Sequence, residues 1–247
     1  MLDCISVENM RQSDGDTIAH FVSGQELMGR AAQGVFRAVE WKGRVAILTG
    51  SGNNGGDGYA LACILQKHGI PCGVFTLSDR LSEDGGYYAR KAEAAGVPIR
   101  PFVAGTQPLQ GWDMVVDCLL GTGFHGELRE NYRAAIEEVN ESATYVVSVD
   151  INSGMNGDTG DYTVAVHSDV TVTIGFVKRG LVTEQAGKCM KKLVCTDIGI
   201  RLCREEEKLC AAAEWQGLTE AEKMSGRFLL CPPWVEASVI VSLEHEI

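Results

Sequence analysis

Two hydrophobic rhythms divide the chain. Across "SGQELMGRAAQGVFRAV", residues 23–39, Leu27, Met28, Ala31, Ala32, Val35, Phe36 and Val39 recur every three or four positions, which is the period of an amphipathic helix. Ser23 and Glu26 stand at its start with the spacing of a capping box, and a further helix precedes it. From residue 44 the rhythm changes to short apolar runs alternating with helical stretches. Strands are expected over 44–49, 72–77, 97–102 (the weakest), 113–119, 144–149, 169–174 and 191–198, with helices over 58–68, 82–95 and 130–141. These strands show no internal polar alternation, as expected of parallel strands covered on both faces. The pattern predicts an α/β fold, a three-layer α/β/α Rossmann-like sandwich with a mostly parallel sheet and right-handed crossovers. Residues 1–200 are expected to form one domain and 201–247 a C-terminal tail. Within that tail "CREEEKLCAAAEWQGLTEAEK" reads as a charged helix and linker, and "FLLCPPWVEASVIVSLEHEI" as a short apolar segment.

Composition narrows the partners. With 22 basic and 33 acidic residues the net charge is −11, which argues against nucleic acid as a partner. No apolar run approaches the roughly 18 residues of a membrane-crossing helix. The first twenty residues carry Asp3, Glu8, Arg11, Asp14 and Asp16, with no apolar core of a secretory leader. Nine cysteines occur without a C-x-x-C pair, several inside apolar runs such as "LACIL" and "VVDCLL". They read as reduced, buried thiols of a cytoplasmic protein.

Chemistry enters at the carboxyl ends of the expected strands, where open α/β sheets bind ligands. Four loops there hold most of the unexplained Gly, Asn and Asp: "GSGNNGGDG" after the first strand, "CLLGTGFHGE" (118–127), "DINSGMNGDTGD" (150–161) and "GFVKRG" (175–180). The first contains Gly50-x-Gly52-x-x-Gly55 between a strand and a helix, a spacing that lets backbone N–H groups and a helix N-terminus meet a phosphate. Asp57 has two readings, a ligand contact or the N-cap of helix 58–68. Asn53 and Asn54 read equally as turn residues, and Asp79 as a ribose contact or a turn. Asp117 ends a buried strand; with Asn54 and the Ser153 hydroxyl it forms a set of hard oxygens suited to an alkali or alkaline-earth cation rather than zinc. Asp150 and Lys178 are the candidates for proton transfer, although Lys178 also fits a solvated turn. His125 is a loop residue that would at most line the pocket. There is no G-x-S-x-G elbow, HExxH or Walker-type GK[ST].

Taken in order, "GSGNNGGDGYALA", "VVDCLLGTGFHGEL", "VSVDINSG" and "FVKRGLV" resemble the NAD(P)H-hydrate epimerases, the YjeF N-terminal-domain family, from about residue 8 to "TDIGI" at 196–200. The NNGGDG and VD-x3-GTG elements are far more specific than the glycine fingerprint alone. The resemblance implies an isomerase that interconverts the R and S hydrates of NADH and NADPH (NADHX and NADPHX). It implies that Asn53, Asn54, Gly55, Gly56 and Asp57, together with Gly121, Thr122, Gly123, Phe124, His125, Gly126 and Glu127, contact the hydrated dinucleotide, and that Asp150 touches it near the reacting ring. Asn54, Asp117 and Ser153 would hold a potassium ion. Asp150 would act as acid and base, with Lys178 or a bound water as helper. A homodimer is expected, acting with a separate ADP- or ATP-dependent dehydratase; "LTEAEKMSGRFLLCPPW" would then be a remnant of a connector to it. Two positions depart from the family pattern: Asn152 stands where proline is usual, expected to loosen the turn that aims Ser153, and Gly29 where glutamate is frequent. Two other classes carry the same fold. One is a non-catalytic binding scaffold; the other is an NAD-dependent oxidoreductase resting on Gly50, Gly52, Gly55 and Asp79.

Overall fold

A computed structural model describes residues 1–142 and 144–241, with side chains up to Glu236. The opening strand β1 (Leu2–Ile5) leads into helices α1 (Val7–His20) and α2 (Gly24–Ala38), each started by a serine whose hydroxyl accepts a backbone N–H, Ser6 from Asn9 and Ser23 from Glu26. Only half of the expected capping box forms, because the Glu26 carboxylate reaches forward to Arg30 instead. The alternating region then runs β2 (Val45–Thr49), α3 (Asn53–Lys67), β3 (Cys72–Thr76), α4 (Glu83–Ala94), β4 (Ile99–Pro101), β5 (Met114–Cys118), α5 (Glu130–Glu141), β6 (Tyr145–Val149), β7 (Val170–Ile174), the two-residue β8 (Val177–Lys178) and β9 (Leu193–Asp197). All seven strands expected from the pattern form, within two residues of the expected ends.

The main sheet has the order β12-β9-β7-β6-β5-β2-β3-β4, and every neighbouring pair is parallel; β12 is Val235–Val241. Alternate residues of one strand serve opposite faces. Val45 and Ile47 of β2 join a core built with α2 and α3, whereas Ala46 and Leu48 join the core under α5. Both faces are therefore dry; even β7, whose Val and Thr residues alternate, buries Thr171 and Thr173 as fully as its valines. From β2 the chain first winds toward β4 and then returns through β5 to β7 on the other side. The strand order thus reverses between β2 and β5, and a crevice opens there beyond their carboxyl ends.

The segment after residue 200 departs from the expected charged helix. Glu207–Cys210 forms strand β10, antiparallel to β1, and a second sheet follows with the order β11-β10-β1-β8, where β11 is Phe228–Leu230. Helix is confined to the short α6 (Ala212–Gly217) and α7 (Glu220–Met224). Partners distant in sequence decided the difference: Leu209 joins the core around β1 and Cys210 is buried, while Lys208 reaches Asp3 and Arg179 reaches Glu207. Trp234 lies over Gly187 and donates to the Leu181 carbonyl. The end of the apolar segment, residues 242–247, lies outside the described residues. All nine cysteines are free. Among the described residues no helix is long and apolar enough to cross a membrane.

Candidate functional site

The crevice encloses about 670 Å³, within the usual range for small-molecule and cofactor sites. Its floor is the β2 and β5 loops, its end wall Asp150, and its roof the apolar face of α1 and α2, with Met10, Leu27 and Met28. Helix α1 is held in place by the chain leaving β9: Arg201 N–H donates to Thr17 Oγ1 (3.0 Å), Cys203 N–H to Ser13 Oγ (2.9 Å), and Asn9 Nδ2 to the Arg204 carbonyl (2.7 Å).

Below the floor lies Asp117, the last but one residue of β5 and fully buried. Its carboxylate accepts from Ser153 N–H (2.9 Å), Ser153 Oγ (2.5 Å), Ser148 Oγ (3.0 Å) and Leu119 N–H (3.2 Å). Burial raises its pKa and these donors pull it back. Ser153 Oγ in turn accepts from Leu120 N–H at 2.8 Å. Asn54 donates Nδ2 to the Leu120 carbonyl at 2.9 Å, but its own Oδ1 is buried with no partner among the described residues. An amide oxygen left unpaired in a native interior is uncommon and asks for a donor or a cation. Asn54, Asp117 and Ser153 are thus linked through one loop, Leu119–Leu120, and all present oxygen.

Asp150 follows β6 in a left-handed conformation, φ 68°, which is unusual for a residue other than glycine and is typically kept at functional positions. Its Oδ1 is held by Lys178 Nζ and lies 3.4 Å from Ile174 N. Its Oδ2 points toward Gly121, where a Cβ would stand 3.8 Å from it and 3.1 Å from Asn54 Cβ. The absent side chain keeps the space between Asn54 and Asp150 open. Lys178 stands behind Asp150, not in the crevice. It is 0% exposed, and Nζ also donates to the Ile174 carbonyl (2.7 Å) and Thr173 Oγ1 (3.1 Å), so all three protons are used. The reading of Lys178 as a solvated turn lysine is corrected by that burial.

Asp57 is corrected as well. Helix α3 begins at Asn53 with Gly52 as its N-cap, so Asp57 sits inside the helix and does not cap it. Its carboxyl lines the crevice, where burial, then Asp150, then Asp14 push its pKa well above the ordinary aspartate value, against a lowering by Lys178. Asp14, on α1, is raised by burial and by Asp150. Neither Asp14 nor Asp84, which also lines the crevice, stands out in the sequence. The signal that would have found Asp14 is helical spacing, since Val7, Met10, Asp14 and Ile18 fall on one face of α1.

The glycines divide by task. Ser51, Gly52, Asn53 and Asn54 line the crevice, as do Gly121, Thr122, Gly123, Phe124, His125 and Glu127. Gly55, Gly56 and Gly126 do not. A Cβ on Gly55 would stand 2.2 Å from the Gly50 carbonyl oxygen, and one on Gly56 would meet Met28 and Gly85; both permit close helix packing. His125 places Nδ1 3.0 Å from the Gly123 carbonyl, at the exposed rim. Asp79 is exposed and outside the crevice lining, so the ribose contact of an oxidoreductase is not formed by it. Asn152 does not loosen its turn. It is fully buried, its Nδ2 donates toward the carbonyls of Val166 (2.8 Å) and Cys189 (3.1 Å) and toward Ser168 Oγ (3.0 Å), and its Oδ1 accepts from Thr171 Oγ1 (2.6 Å). At Gly29 a Cβ would meet the Tyr88 hydroxyl at 2.6 Å, so Tyr88 fills the space a side chain would need.

Residues 24–180 match the family model described as YjeF-related protein N-terminus. The chain is 33% identical over 207 residues to an NAD(P)H-hydrate epimerase of Rhodopirellula baltica, covering 80% of this chain and 85% of that protein. It is 34% identical over 216 residues to a bifunctional NAD(P)H-hydrate repair enzyme Nnr of Archaeoglobus fulgidus, covering 86% of this chain and 45% of that protein. It thus spans less than half the length of that bifunctional relative. A crystal structure of the yeast protein YNL200c has the same fold, with a TM-score of 0.68 at 22% identity, over 83% of this chain and 95% of that one. On its sequence match from Gly24 to Gly180, the chain belongs to the family of YjeF-related N-terminal domains.

Proposed function

We propose that this protein epimerises hydrated NADH and NADPH, interconverting the R and S forms at the hydroxyl-bearing ring carbon. The observation that carries this reading is Asp150: a carboxylate fixed on one oxygen by a buried ammonium and free on the other, at the end wall of a dinucleotide-sized crevice. Relatives named as epimerases support the substrate. In the reaction the carbon–oxygen bond breaks as the ring nitrogen's lone pair forms a C=N bond, and the departing hydroxide takes a proton to leave as water. Asp57, which keeps its proton to higher pH than an ordinary aspartate, supplies it. Water returns to either face; Asp150 accepts its proton, the C=N pair goes back to nitrogen, and the proton passes back to Asp57. Lys178 orients Asp150 and does not touch the ring.

Asn54, Asp117 and Ser153 fit a potassium ion, since the set is all oxygen and Asn54 Oδ1 lacks a partner. The bound ion would supply a fixed positive charge beneath the β5 loop; a monovalent ion is a weak Lewis acid. A homodimer and an ADP- or ATP-dependent dehydratase as partner activity belong to the same reading.

The test is equilibration of the R and S hydrates, followed by NMR or chiral chromatography with the uncatalysed rate subtracted. Asp150→Asn should retain hydrate binding and lose about 10²–10⁴-fold in rate. Wild-type turnover in that variant would remove Asp150 from the role. Hydrate binding without turnover by the wild-type protein would favour a non-catalytic scaffold.

A further inference from the structure

Carboxylates dominate the crevice. Asp14, Asp57, Asp84, Glu127 and Asp150 line it, against two cations, Arg11 and Arg129. Arg11 is paired with Glu8 at 2.6 Å. Arg129 is exposed at the crevice wall and has no acidic or aromatic partner among the described residues. It is the N-cap residue of the 12-residue helix α5, and no side chain caps the helix's first N–H groups. One turn further on, on the same face, stands Tyr132. Tyr132 is only 6% exposed, yet its hydroxyl has no hydrogen-bond partner among the described residues. The hydroxyl lies beside the first glycine turn, where a Cβ on Gly50 would come within 3.2 Å of it. The Tyr132 ring packs in the core under α5, while its hydroxyl is not sealed from solvent and is open at the crevice to an acceptor bound there. Guanidinium, phenol and free helix amides are all donors, and together they suit an oxyanion.

We propose that Arg129, the Tyr132 hydroxyl and the first-turn amides of α5 bind the pyrophosphate of the ligand, opposite Ser51–Asn53 on the other wall of the crevice. The inference rests on reading the ligand as a dinucleotide. It places the phosphates between the β2 turn and α5, with the reacting ring directed toward Asp150. In this acidic crevice Asp14 and Asp57 lie near Asp150, whereas Arg129, flanked in sequence by Glu127 and Glu130, is the arginine without an acidic partner among the described residues of the lining, and it stands at the α5 end.

Calorimetric titration with ADP-ribose, which carries the pyrophosphate without the reacting ring, tests this without any turnover. Adenosine is the phosphate-free control, and AMP separates a single phosphate from a pyrophosphate. Arg129→Gln should weaken ADP-ribose about tenfold, the loss of one charge-assisted hydrogen bond, and leave adenosine unchanged; Arg129→Lys should recover part of it. Tyr132→Phe keeps the ring packing and should weaken ADP-ribose several-fold. In hydrate equilibration, KM should rise by a larger factor than kcat falls in Arg129→Gln. Unchanged ADP-ribose affinity in Arg129→Gln, or an equal loss for adenosine, would overturn the assignment. So would a wild-type protein that binds neither ADP-ribose nor AMP. A wild type that binds ADP-ribose through Arg129 but does not equilibrate the hydrates leaves the anion site standing and removes the epimerase reading instead.

Discussion

Lys178 offers the most discriminating perturbation. Its ammonium is fully buried, ion-paired to Asp150, and donates to Thr173 Oγ1 and the Ile174 carbonyl. Lys178→Met keeps the length and apolar stem but removes the charge, leaving the Asp150 carboxylate without its cation. Breaking a fully buried pair from one side destabilises by about 3–5 kcal/mol. The Asp150 side chain keeps 15% of its surface open, so water relieves part of this and about 3 kcal/mol is the better expectation. In a chain of this size 1 kcal/mol shifts Tm by roughly 2–4 °C, so a drop of about 6–12 °C is expected by calorimetry. The double variant Lys178→Met/Asp150→Asn carries no uncompensated charge and should recover at least half of that drop. Its rate of hydrate equilibration should be no slower than that of Asp150→Asn alone, because Lys178 acts through Asp150. A fall in Tm below about 2 °C in Lys178→Met, or additive rate losses in the double variant, would show that the ammonium reaches the substrate directly, and the positioning role would be wrong.

Four further outcomes follow from the same geometry. Asp57 has a raised folded pKa, so above its ordinary value of 3.8 the native state binds more protons than the unfolded one and stability drains away as pH rises toward the folded pKa. Asp57→Asn should therefore gain stability over wild type progressively as pH increases through that window; a Tm difference constant from pH 4 to 8 would refute this. Gly55→Val drives a Cβ into the Gly50 carbonyl and should unfold cooperatively at much lower temperature, whereas Gly52→Val, with open space around it, should keep its circular dichroism melt and lose ADP-ribose binding. Potassium should raise Tm relative to a bulky organic cation at equal ionic strength, and Asn54→Leu should abolish the difference; equal melts of the wild type in both salts would remove the ion. Asn152→Ala leaves the buried Val166 carbonyl without its donor, while Thr171 Oγ1 keeps Ser168 Oγ and the Cys189 carbonyl keeps Ser168 N–H, so about 2 kcal/mol should be lost by urea denaturation, and a loss under about 0.5 kcal/mol would return Asn152 to a passive turn residue.

What the sequence determined by itself is what short-range physics writes into it. Strands β2, β5, β6 and β7 were legible because burial on both faces leaves runs of five dominated by apolar residues, with their few polar members, such as Thr49, Asp117 and Ser148, buried too, and that signature is local. The crevice was legible for the same reason: the glycine, asparagine and aspartate clusters follow those strands directly, so knowing the strand ends located the loops. Asp117, Asn54 and Ser153 could be grouped because each lies within a few residues of a strand end. The tertiary structure alone decided which of these residues do what. Asp57 fits a cap in sequence, but the helix starts at Asn53, five residues before the expected 58, with Gly52 as its N-cap. Lys178 looked like surface until β8 carried it under Asp150, 28 residues away in sequence. Strand β10 was hidden inside an apparently helical charged run, because its partner β1 lies about 200 residues earlier and supplies the hydrogen bonds that local propensity could not anticipate. Asp14 and Tyr132 belong to helices that show only an amphipathic face in sequence; which crevice that face meets depends on packing across the whole domain, and the free energy of that packing is not carried by any one segment of chain.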